Sequence, residues 1–224
     1  MGTLYIVATP IGNLEDISKR ALRALAEVDL ILCEDTRVTK KLLDHYQIKT
    51  PTLSYHQHSK LQKIERVINF LKEGKNLALV SDAGTPGISD PGGKLVKKVI
   101  ESLSSSVKIV PIPGPSAISA IAGISGFPMD KFLFLGFPPA KKKRKKFFEE
   151  IINAKYLVVF YESPHRIIKS LNELGIMNEE LKIVVCRELT KKFETIYRGK
   201  IKEVIKQIEK DIIKGEFVVI VDKR

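Results

Sequence analysis

The sequence predicts an α/β protein with two domains, because short apolar runs alternate with amphipathic helical patterns along most of its 224 residues. In the first half, this alternation predicts a mostly parallel sheet with helices on both faces. In the second half, Glu194–Arg198 has the pattern of an antiparallel hairpin partner, which predicts a smaller, mixed sheet. Prolines become frequent at Pro111–Pro115, so we expect the domains to cover residues 1–113 and 114–224.

Five apolar runs of the first half are expected to be strands, since each stops at glycine, proline or polar residues. These runs are Thr3–Ala8, Leu30–Cys33, Thr52–Tyr55, Leu77–Val80 and Lys108–Ile112. Between them, apolar residues at helical spacing predict helices over residues 17–28, 38–46, 60–73 and 91–100. Asp16 or Ser18 can cap the first helix and Thr36 the second. Asp90 can cap the fourth, with proline at the first helical position.

The second half begins with a helix of small residues over 116–124 and continues with strands and helices. The expected strands are Phe132–Leu135, Tyr156–Tyr161, Lys182–Cys186, Glu194–Arg198 and Phe217–Val221, and the expected helices cover residues 147–152, 167–174 and 204–212. Lys141–Lys146 (KKKRKK) is the strongest charge run of the chain. Such a run is typical either of a solvated, mobile loop or of a nucleic-acid contact.

The charge balance predicts a polyanionic partner, because 38 Lys and Arg against 26 Asp and Glu give a net charge of +12. A nucleic acid, a polycarboxylate small molecule or an acidic protein would match this charge, and a lysine-rich surface without any polyanion is the plain alternative. No apolar stretch approaches the roughly 20 residues that span a bilayer, and the N-terminus lacks the pattern of a signal peptide. We therefore expect a cytoplasmic protein with no membrane contact.

Metal binding is not expected from the sequence. Cys33 and Cys186 lie far apart and match no metal or redox spacing, so we expect buried free thiols. His56 and His58 are two positions apart, but the sequence provides no third ligand near them. These histidines are expected to face solvent or substrate.

The stretch Leu77–Gly93 (LALVSDAGTPGISDPGG) has the pattern of a strand, a glycine-rich loop and a helix. In open α/β sheets, ligands bind outside the carboxyl ends of the strands, and glycine there lets a ligand approach the backbone. An ordinary βα turn fits the same pattern, which is neither G-x-G-x-x-G nor a P-loop. Thr9–Asn13 and Pro113–Ser116 are two further loops of this kind.

Three other strand ends carry ionisable side chains, namely Glu34–Arg37, Glu162–Arg166 and Arg187–Lys191. A capped helix entrance is the alternative reading of Glu34 and Asp35. The division between glycine-rich and charged strand ends predicts one site for a cofactor and an adjoining one for a charged substrate, between the two halves. Neither G-x-S-x-G nor an activated-cysteine motif is present in the sequence.

Six ordered segments resemble the tetrapyrrole methylase superfamily, and together they extend over nearly the whole chain. They are Val7–Ser18 (VATPIGNLEDIS), Cys33–Arg37 (CEDTR), Ser81–Gly92 (SDAGTPGISDPG), Pro111–Ala117 (PIPGPSA), Phe160–Arg166 (FYESPHR) and Arg187–Glu194 (RELTKKFE). Within the superfamily, the resemblance is to the branch that methylates small-subunit ribosomal RNA. It implies a homodimer of two-domain subunits that bind S-adenosylmethionine in the interdomain cleft.

The resemblance also implies the reaction and the cofactor site. The reaction is 2′-O-methylation of the ribose of a cytidine in the decoding region of 16S ribosomal RNA, with the RNA or the small ribosomal subunit as partner. The implied cofactor-binding residues are Pro10, Ser81, Asp82, Ala83, Gly84, Ile88, Ser89, Ser116, Ala117, Phe160, Tyr161 and Leu189. Members of this family often continue with a further helical segment, whereas this sequence stops at Arg224.

A ribose hydroxyl that attacks a methyl group must lose its proton, so a nearby base is expected to assist. The candidate bases are Glu34, Asp35, His56 and Glu162. Arg37 and Arg166 would hold phosphates or orient a carboxylate. The residues expected to contact RNA are Arg37, His56, Lys141, Lys142, Lys143, Arg144, Lys145, Lys146 and Arg166.

Two other functions remain open at this point. A methyltransferase of the same fold that acts on a tetrapyrrole precursor would also favour positive charge, because its substrate carries carboxylates. A non-catalytic RNA-binding assembly factor would use the cofactor pocket as a sensor or not at all. The charged segments CEDTR, FYESPHR and KKKRKK favour RNA over a tetrapyrrole.

Overall fold

The computed structural model of the chain describes residues 1–55 and 61–223. It divides into two compact units, Met1–Ser116 and Ala117–Arg224. The boundary between them lies three residues beyond the expected one, at the end of the proline-rich segment. Each unit contains one five-stranded sheet.

The sheet of the first unit is parallel, as the alternation of strands and helices predicts. Its strands are β1 (Thr3–Val7), β2 (Leu30–Cys33), β3 (Thr52–Ser54), β4 (Leu77–Leu79) and β5 (Lys108–Ile112). They are connected by α1 (Lys19–Glu27), α2 (Thr36–His45), α3 (Leu61–Lys72) and α4 (Gly92–Leu103). The strand order is β3-β2-β4-β1-β5, and every pair is parallel. The carboxyl ends of all five strands therefore lie at one edge of the sheet.

Helices cover both faces of this sheet. Neighbouring residues of a strand point to opposite faces, and apolar residues on each face pack against a different pair of helices. Val7 and Ile31 belong to a buried cluster with α1 and α2. Leu4 and Leu77 belong to a second buried cluster with α3 and α4. The prediction of helices on both faces is confirmed.

Side chains cap the helices at the start of the first unit. Ser18 Oγ accepts a hydrogen bond from the first turn of α1 at 3.1 Å, so Ser18 rather than Asp16 is the cap. Asp35 caps α2 by accepting a backbone hydrogen bond at 2.8 Å, whereas Thr36 was the expected cap. The reason is local: Asp35 keeps the extended backbone that a capping residue needs, and Thr36 is already helical.

The sheet of the second unit is mixed, as expected, but it is not the smaller of the two. Its strands are β6 (Phe132–Phe134), β7 (Leu157–Glu162), β8 (Lys182–Arg187), β9 (Thr195–Lys200) and β10 (Phe217–Asp222), in the order β6-β7-β10-β8-β9. Only the pair of β6 and β7 is parallel. The helices are α5 (Ala117–Ser125), α6 (Arg144–Asn153), α7 (Ile167–Met177) and α8 (Ile201–Glu209). One large apolar core joins α6, α7 and α8 to β7, β8 and β10.

Two helices of the second unit have bounds that differ from the expected ones. α6 begins at Arg144 and so includes half of the charge run, where a loop was expected. α8 ends at Glu209, so Ile212 lies beyond it and is exposed instead of lining the helix. Both cysteines are buried free thiols, as expected, and burial raises the pKa of Cys186 to about 12. No helix in residues 1–55 and 61–223 is long and apolar enough to cross a membrane.

Candidate cofactor and substrate site

The loop that follows β4 is joined to the loop that follows β1 at the carboxyl edge of the first sheet. Thr9 N donates to Gly84 O at 2.9 Å, and Gly84 N donates to Thr9 O at 3.1 Å. The hydroxyl of Ser81 is directed back into its own loop, where it donates to Ala83 O at 3.2 Å and Gly84 O at 3.1 Å. These bonds fix the path of the glycine-rich loop as it leaves the sheet.

The same loop also contacts the segment that follows β5. Gly84 has a φ of +81°, and a Cβ at this position would lie 3.3 Å from Ile11 Cγ2 and 3.6 Å from Pro115 O. Thr85 Oγ1 donates to Pro115 O at 3.1 Å. Glycine is therefore favoured at residue 84 by its left-handed backbone, and the loop lies in contact with its two neighbours. Three strand-end loops form one connected surface.

The expected cofactor residues of the first unit all lie in these three loops. Pro10, Ser81 and Gly84 are buried and shape the loops, and Ser116 is half-buried. Asp82, Ala83 and Ser89 are exposed and Ile88 is half-buried. The surface therefore offers backbone groups and one carboxylate to a ligand, which are the partners that an amino-acid group and ribose hydroxyls require.

The end of the neighbouring strand β2 brings further acids to the loop after β4. Asp82 Oδ1 accepts a hydrogen bond from Asp35 N at 3.0 Å. Burial, followed by the negative charges of Asp82 and Asp90, raises the pKa of Glu34 above that of an ordinary glutamate. Arg37, in contrast, binds the Asp35 carboxylate through its side chain and backbone and holds the pKa of that carboxyl at about 2. Glu34 is therefore a stronger base than Asp35.

Asp90 shapes the far end of the glycine-rich loop. Its Oδ1 accepts hydrogen bonds from Gly87 N and Gly92 N, both at 2.7 Å. The expectation that Asp90 is the N-cap of α4, with Pro91 as the first helical residue, is wrong, because Pro91 itself is the N-cap and the helix begins at Gly92. Asp90 instead binds backbone groups of the loop and of the first helical residue. Asp90 was not among the expected site residues, and the feature of the sequence that indicates it is the turn-forming SDPG pattern.

Glu162, at the end of β7, is buried in a network of hydrogen bonds within the second unit. Its Oε1 accepts from Ser163 N and pairs with Arg166 Nη2, both at 2.8 Å. Its Oε2 accepts from the hydroxyl of Ser170 at 2.5 Å, and Arg144 Nη1 lies 3.8 Å away. Both carboxylate oxygens are bound within the protein, so Glu162 is not free to act as a base.

Arg144 lies inside the charge run but is not part of its exposed surface. Its side chain is buried, and Nε donates to Glu173 Oε2 at 2.8 Å while Nη2 donates to Ser170 Oγ at 2.7 Å. The expectation that Arg144 contacts RNA is therefore wrong, because its guanidinium is buried and bound to side chains of α7 and β7. The five lysines of the run, Lys141, Lys142, Lys143, Lys145 and Lys146, are exposed.

The other residues expected to contact RNA differ in how exposed their side chains are and in what those side chains bind. Arg37 has a side chain that is 87% exposed, although it also pairs with Asp35 at 2.6 Å. Arg166 is bound to Glu162 and donates to Pro138 O at 2.9 Å, so it acts mainly as a support for the loop after β6. His56 lies outside the described residues.

The expected cofactor residues of the second unit lie at the start of α5, at the end of β7 and after β8. Ala117 is the first residue of α5 and Tyr161 is half-buried. The side chains of Phe160 and Leu189 are buried. Phe160 belongs to the apolar core, so its side chain is not available to a ligand.

The corner after β8 is strained and contains Thr190, which was not among the expected site residues. Glu188 and Thr190 both have a positive φ, of 53° and 67°, which is costly for residues other than glycine. Within the described part of the chain, the buried Thr190 Oγ1 has no hydrogen-bond partner. Strain together with an unsatisfied hydroxyl is typical of a binding site, and the only signal in the sequence was the position of Thr190 next to Leu189.

Residues 1–55 and 61–223 contain no group of three or more histidine, cysteine, aspartate or glutamate side chains that could hold a metal ion. His56 and His58 lie outside those ranges.

The sequence is similar to a known family and to several named proteins. The tetrapyrrole (corrin/porphyrin) methylase family matches residues 3–205. The chain is 46% identical to the ribosomal RNA small subunit methyltransferase I of Halalkalibacterium halodurans, with 99% of this chain and 76% of the relative covered. The protein of the same name from Thermotoga maritima is 44% identical, with 98% of both chains covered. That of Vibrio cholerae is 49% identical, with 97% of this chain and 76% of the relative covered.

Solved structures with the same architecture are much less similar in sequence. A cobalt precorrin-4 methyltransferase superimposes with a TM-score of 0.69 at 18% identity, and a uroporphyrin-III-C-methyltransferase from Thermus thermophilus with 0.68 at 16%. Each comparison covers 98% of this chain and 94% of the other. At this level of identity, the likeness shows a shared fold and does not identify a substrate.

Proposed function

The chain belongs to the tetrapyrrole methylase family and has its fold, and from this premise we propose that it uses S-adenosylmethionine to methylate ribosomal RNA of the small subunit. More specifically, the proposed reaction is 2′-O-methylation of the ribose of a cytidine in the decoding region of 16S ribosomal RNA. The names of relatives that are 44–49% identical over nearly the whole chain support the RNA substrate.

The observation that carries the proposal is the glycine-rich loop Ser81–Asp90, which is hydrogen-bonded to the loops after β1 and β5. Asp82, Ala83 and Ser89 are exposed on it, and this set fits S-adenosylmethionine. Backbone groups suit the carboxylate and ammonium of the methionine part, and Asp82 suits hydroxyl or ammonium donors. When bound, the cofactor supplies a methyl group that is already activated by its sulfonium.

The chain itself needs to orient the ribose hydroxyl and accept its proton. As the new carbon–oxygen bond forms, the carbon–sulfur bond breaks and the hydroxyl proton must pass to an acceptor. Glu34 is our candidate acceptor, because its pKa is raised and it lies next to the cofactor loop. Arg37 is exposed in the first turn of α2, three residues further along the chain, and is our candidate for holding an RNA phosphate.

The charge of the molecule supports a nucleic-acid substrate. The net charge is +12, and five exposed lysines are concentrated in the segment Lys141–Lys146. Phosphate groups bound by such lysines supply affinity that does not depend on the RNA sequence. Recognition of one cytidine would then depend on other contacts.

The proposal is tested with purified protein and S-adenosylmethionine that is labelled on the methyl group. We expect transfer of the label to small ribosomal subunits or 16S RNA from cells that lack this gene, and no transfer to a tetrapyrrole precursor. Transfer to the tetrapyrrole alone would contradict the proposal. Cofactor binding without transfer to any ribosomal particle would favour a non-catalytic assembly factor.

The homodimer that the resemblance implies and the cytoplasmic location expected from the sequence remain predictions. Sedimentation equilibrium of the purified chain would measure the first, and a fluorescent fusion expressed at its native level would measure the second.

A further inference from the structure

Phe137 is a large aromatic side chain on the surface of the second unit, with 51% of its area exposed. It follows β6, and the centroid of its ring lies 5.4 Å from that of Tyr161 on β7. Tyr161 in turn contacts Phe134, with ring centroids 4.9 Å apart. The ring of Phe137 is thus supported by other aromatic rings, while half of its surface faces solvent.

The backbone on either side of Phe137 is held in place. Tyr161 N donates to Gly136 O at 2.9 Å, so the chain stays hydrogen-bonded to β7 two residues beyond the end of β6. Arg166 Nη1 donates to Pro138 O at 2.9 Å. A ring that is fixed before it binds loses little conformational entropy on binding, so this exposed aromatic residue is well suited to hold a flat ligand.

Exposed positive charges follow Phe137 closely in the chain. Lys141 is four residues further on, so its Cα lies at most about 14 Å from that of Phe137. Lys141, Lys142 and Lys143 are all exposed. Arg144 fixes the end of this loop, because its Nη1 donates to Pro139 O at 3.3 Å.

A supported aromatic ring beside several cations is the combination with which proteins bind single-stranded nucleic acids. The ring stacks on a base and the cations bind the phosphates, because every base has a flat face and every nucleotide has a charge. An apolar partner surface would not require the lysines, and a duplex would not offer the face of a base.

We propose that Phe137 stacks on an unpaired nucleobase of the RNA, while the lysines at residues 141–143 bind neighbouring phosphates. This inference rests on the proposed function and deepens it, since it assigns one base-binding position on the second unit. It also explains why Glu162, Arg166 and Arg144 are bound to one another and to the loop: they hold the ring and the lysines in position.

The test is the equilibrium affinity for a fluorescently labelled single-stranded RNA from the decoding region, compared with the same sequence as a full duplex. We expect Phe137→Ala to weaken binding of the single strand about tenfold and to leave duplex binding unchanged. Phe137→Trp should retain the affinity, because it keeps a flat ring. The slope of log affinity against log salt should be the same for Phe137→Ala and for the unchanged protein.

Two controls separate stacking from charge and from a general surface effect. Changing Lys141, Lys142 and Lys143 together to alanine should reduce the salt slope by about 2, since each lost phosphate contact contributes about 0.7 on single strands. Tyr156→Ala removes another partly exposed ring, located just before β7, and should not change the affinity for RNA.

Equal affinity of Phe137→Ala and the unchanged protein for the single strand would overturn this inference. An equal loss on the duplex would also overturn it, since it would show that the ring does not act on an unpaired base. If the unchanged protein methylates ribosomal RNA, either result leaves the proposed function intact. If the unchanged protein binds no RNA at all, both proposals fail.

Discussion

Glu34, Asp35 and Asp82 are carboxylates at two adjacent strand ends, but their surroundings give them different properties. Asp35 is paired with Arg37, which holds its pKa at about 2 and makes it a weak base. Glu34 is partly buried and faces other negative charges, which raises its pKa. Asp82 receives a backbone hydrogen bond from Asp35 on one oxygen, so its other oxygen can bind a ligand.

We predict that Glu34→Gln lowers the maximal rate of methyl transfer by about 100-fold, which is in the range of general-base contributions. The affinity for S-adenosylmethionine should not change. A base must be deprotonated, so the rate of the unchanged enzyme should rise with pH through the raised pKa of Glu34. This acid limb should disappear from the pH–rate profile of the variant.

Stability measurements distinguish this loss from unfolding. A carboxyl whose pKa is raised on folding favours the folded state at low pH, and this contribution is lost as the pH rises through the folded pKa. At neutral pH, Glu34→Gln should therefore be as stable as the unchanged protein or more stable. Glu27→Gln, on the exposed side of α1, is the matched control for activity. An unaltered rate in Glu34→Gln would exclude Glu34 as the base.

We predict that Asp82→Asn weakens binding of S-adenosylmethionine by about 10–100-fold, because a hydrogen bond to a charged group is replaced by a neutral one. The amide oxygen can still accept the hydrogen bond from Asp35 N, so the fold of the loop is kept. Isothermal titration calorimetry measures the affinity, with Asp44→Asn at the end of α2 as the control. Unchanged affinity would count against the cofactor site.

Among the elements, α6 is held to the rest of the second unit by its apolar residues and by one buried arginine. Arg144 joins α6 to Glu173 and Ser170 of α7, and the same serine binds Glu162 of β7. Removal of one member leaves buried charge without its partners, which is costly. The neighbouring Lys145 is exposed, and its Nζ lies 3.7 Å from Glu149 Oε1.

We predict that Arg144→Ala lowers the free energy of unfolding of the second unit by about 3 kcal/mol. Lys145→Ala, which removes the same formal charge one position away, should change it by less than about 0.5 kcal/mol. Urea titration followed by circular dichroism measures both values. A similar, small effect of the two variants would mean that the network does not stabilise α6.

The elements also show which features can be read from a sequence. The apolar run Leu30–Cys33 has the bounds expected, because a buried parallel strand must be apolar and must stop where polar residues begin. Lys108–Ile112 also has the bounds expected, although it is an edge strand of which only Ile112 is buried. The burial of Arg144 was not predictable, because its neighbours in the chain are exposed residues of the same charge. The acceptors that bind its side chain are 26 and 29 residues further along the chain. Contacts at that distance leave no local pattern.

The candidate site was also predictable only where a local pattern of residues indicates it. The glycine and proline pattern indicated the loops after β1, β4 and β5, since such residues are required where chains approach closely. The raised pKa of Glu34 and the burial of the Thr190 hydroxyl depend on residues from other segments of the chain. The proposed cofactor follows from the resemblance to a family and not from the spacing of residues.

At the scale of the whole molecule, a fold shared with tetrapyrrole methylases is combined with a surface suited to RNA. The first unit offers the connected loops at the carboxyl edge of a parallel sheet, and the second offers the exposed lysines and Phe137. The fold alone does not identify the substrate. Structures that share it, with TM-scores of 0.68–0.69, are only 16–18% identical to this chain. The charge and the relatives of 44–49% identity favour ribosomal RNA.

The most direct test of the central claim is mass spectrometry of 16S ribosomal RNA from cells that lack this gene. We predict that one cytidine of the decoding region has lost a single ribose methyl group, and that the gene restores it whereas the Glu34→Gln variant does not. An unaltered pattern of ribose methylation in the decoding region would contradict the account.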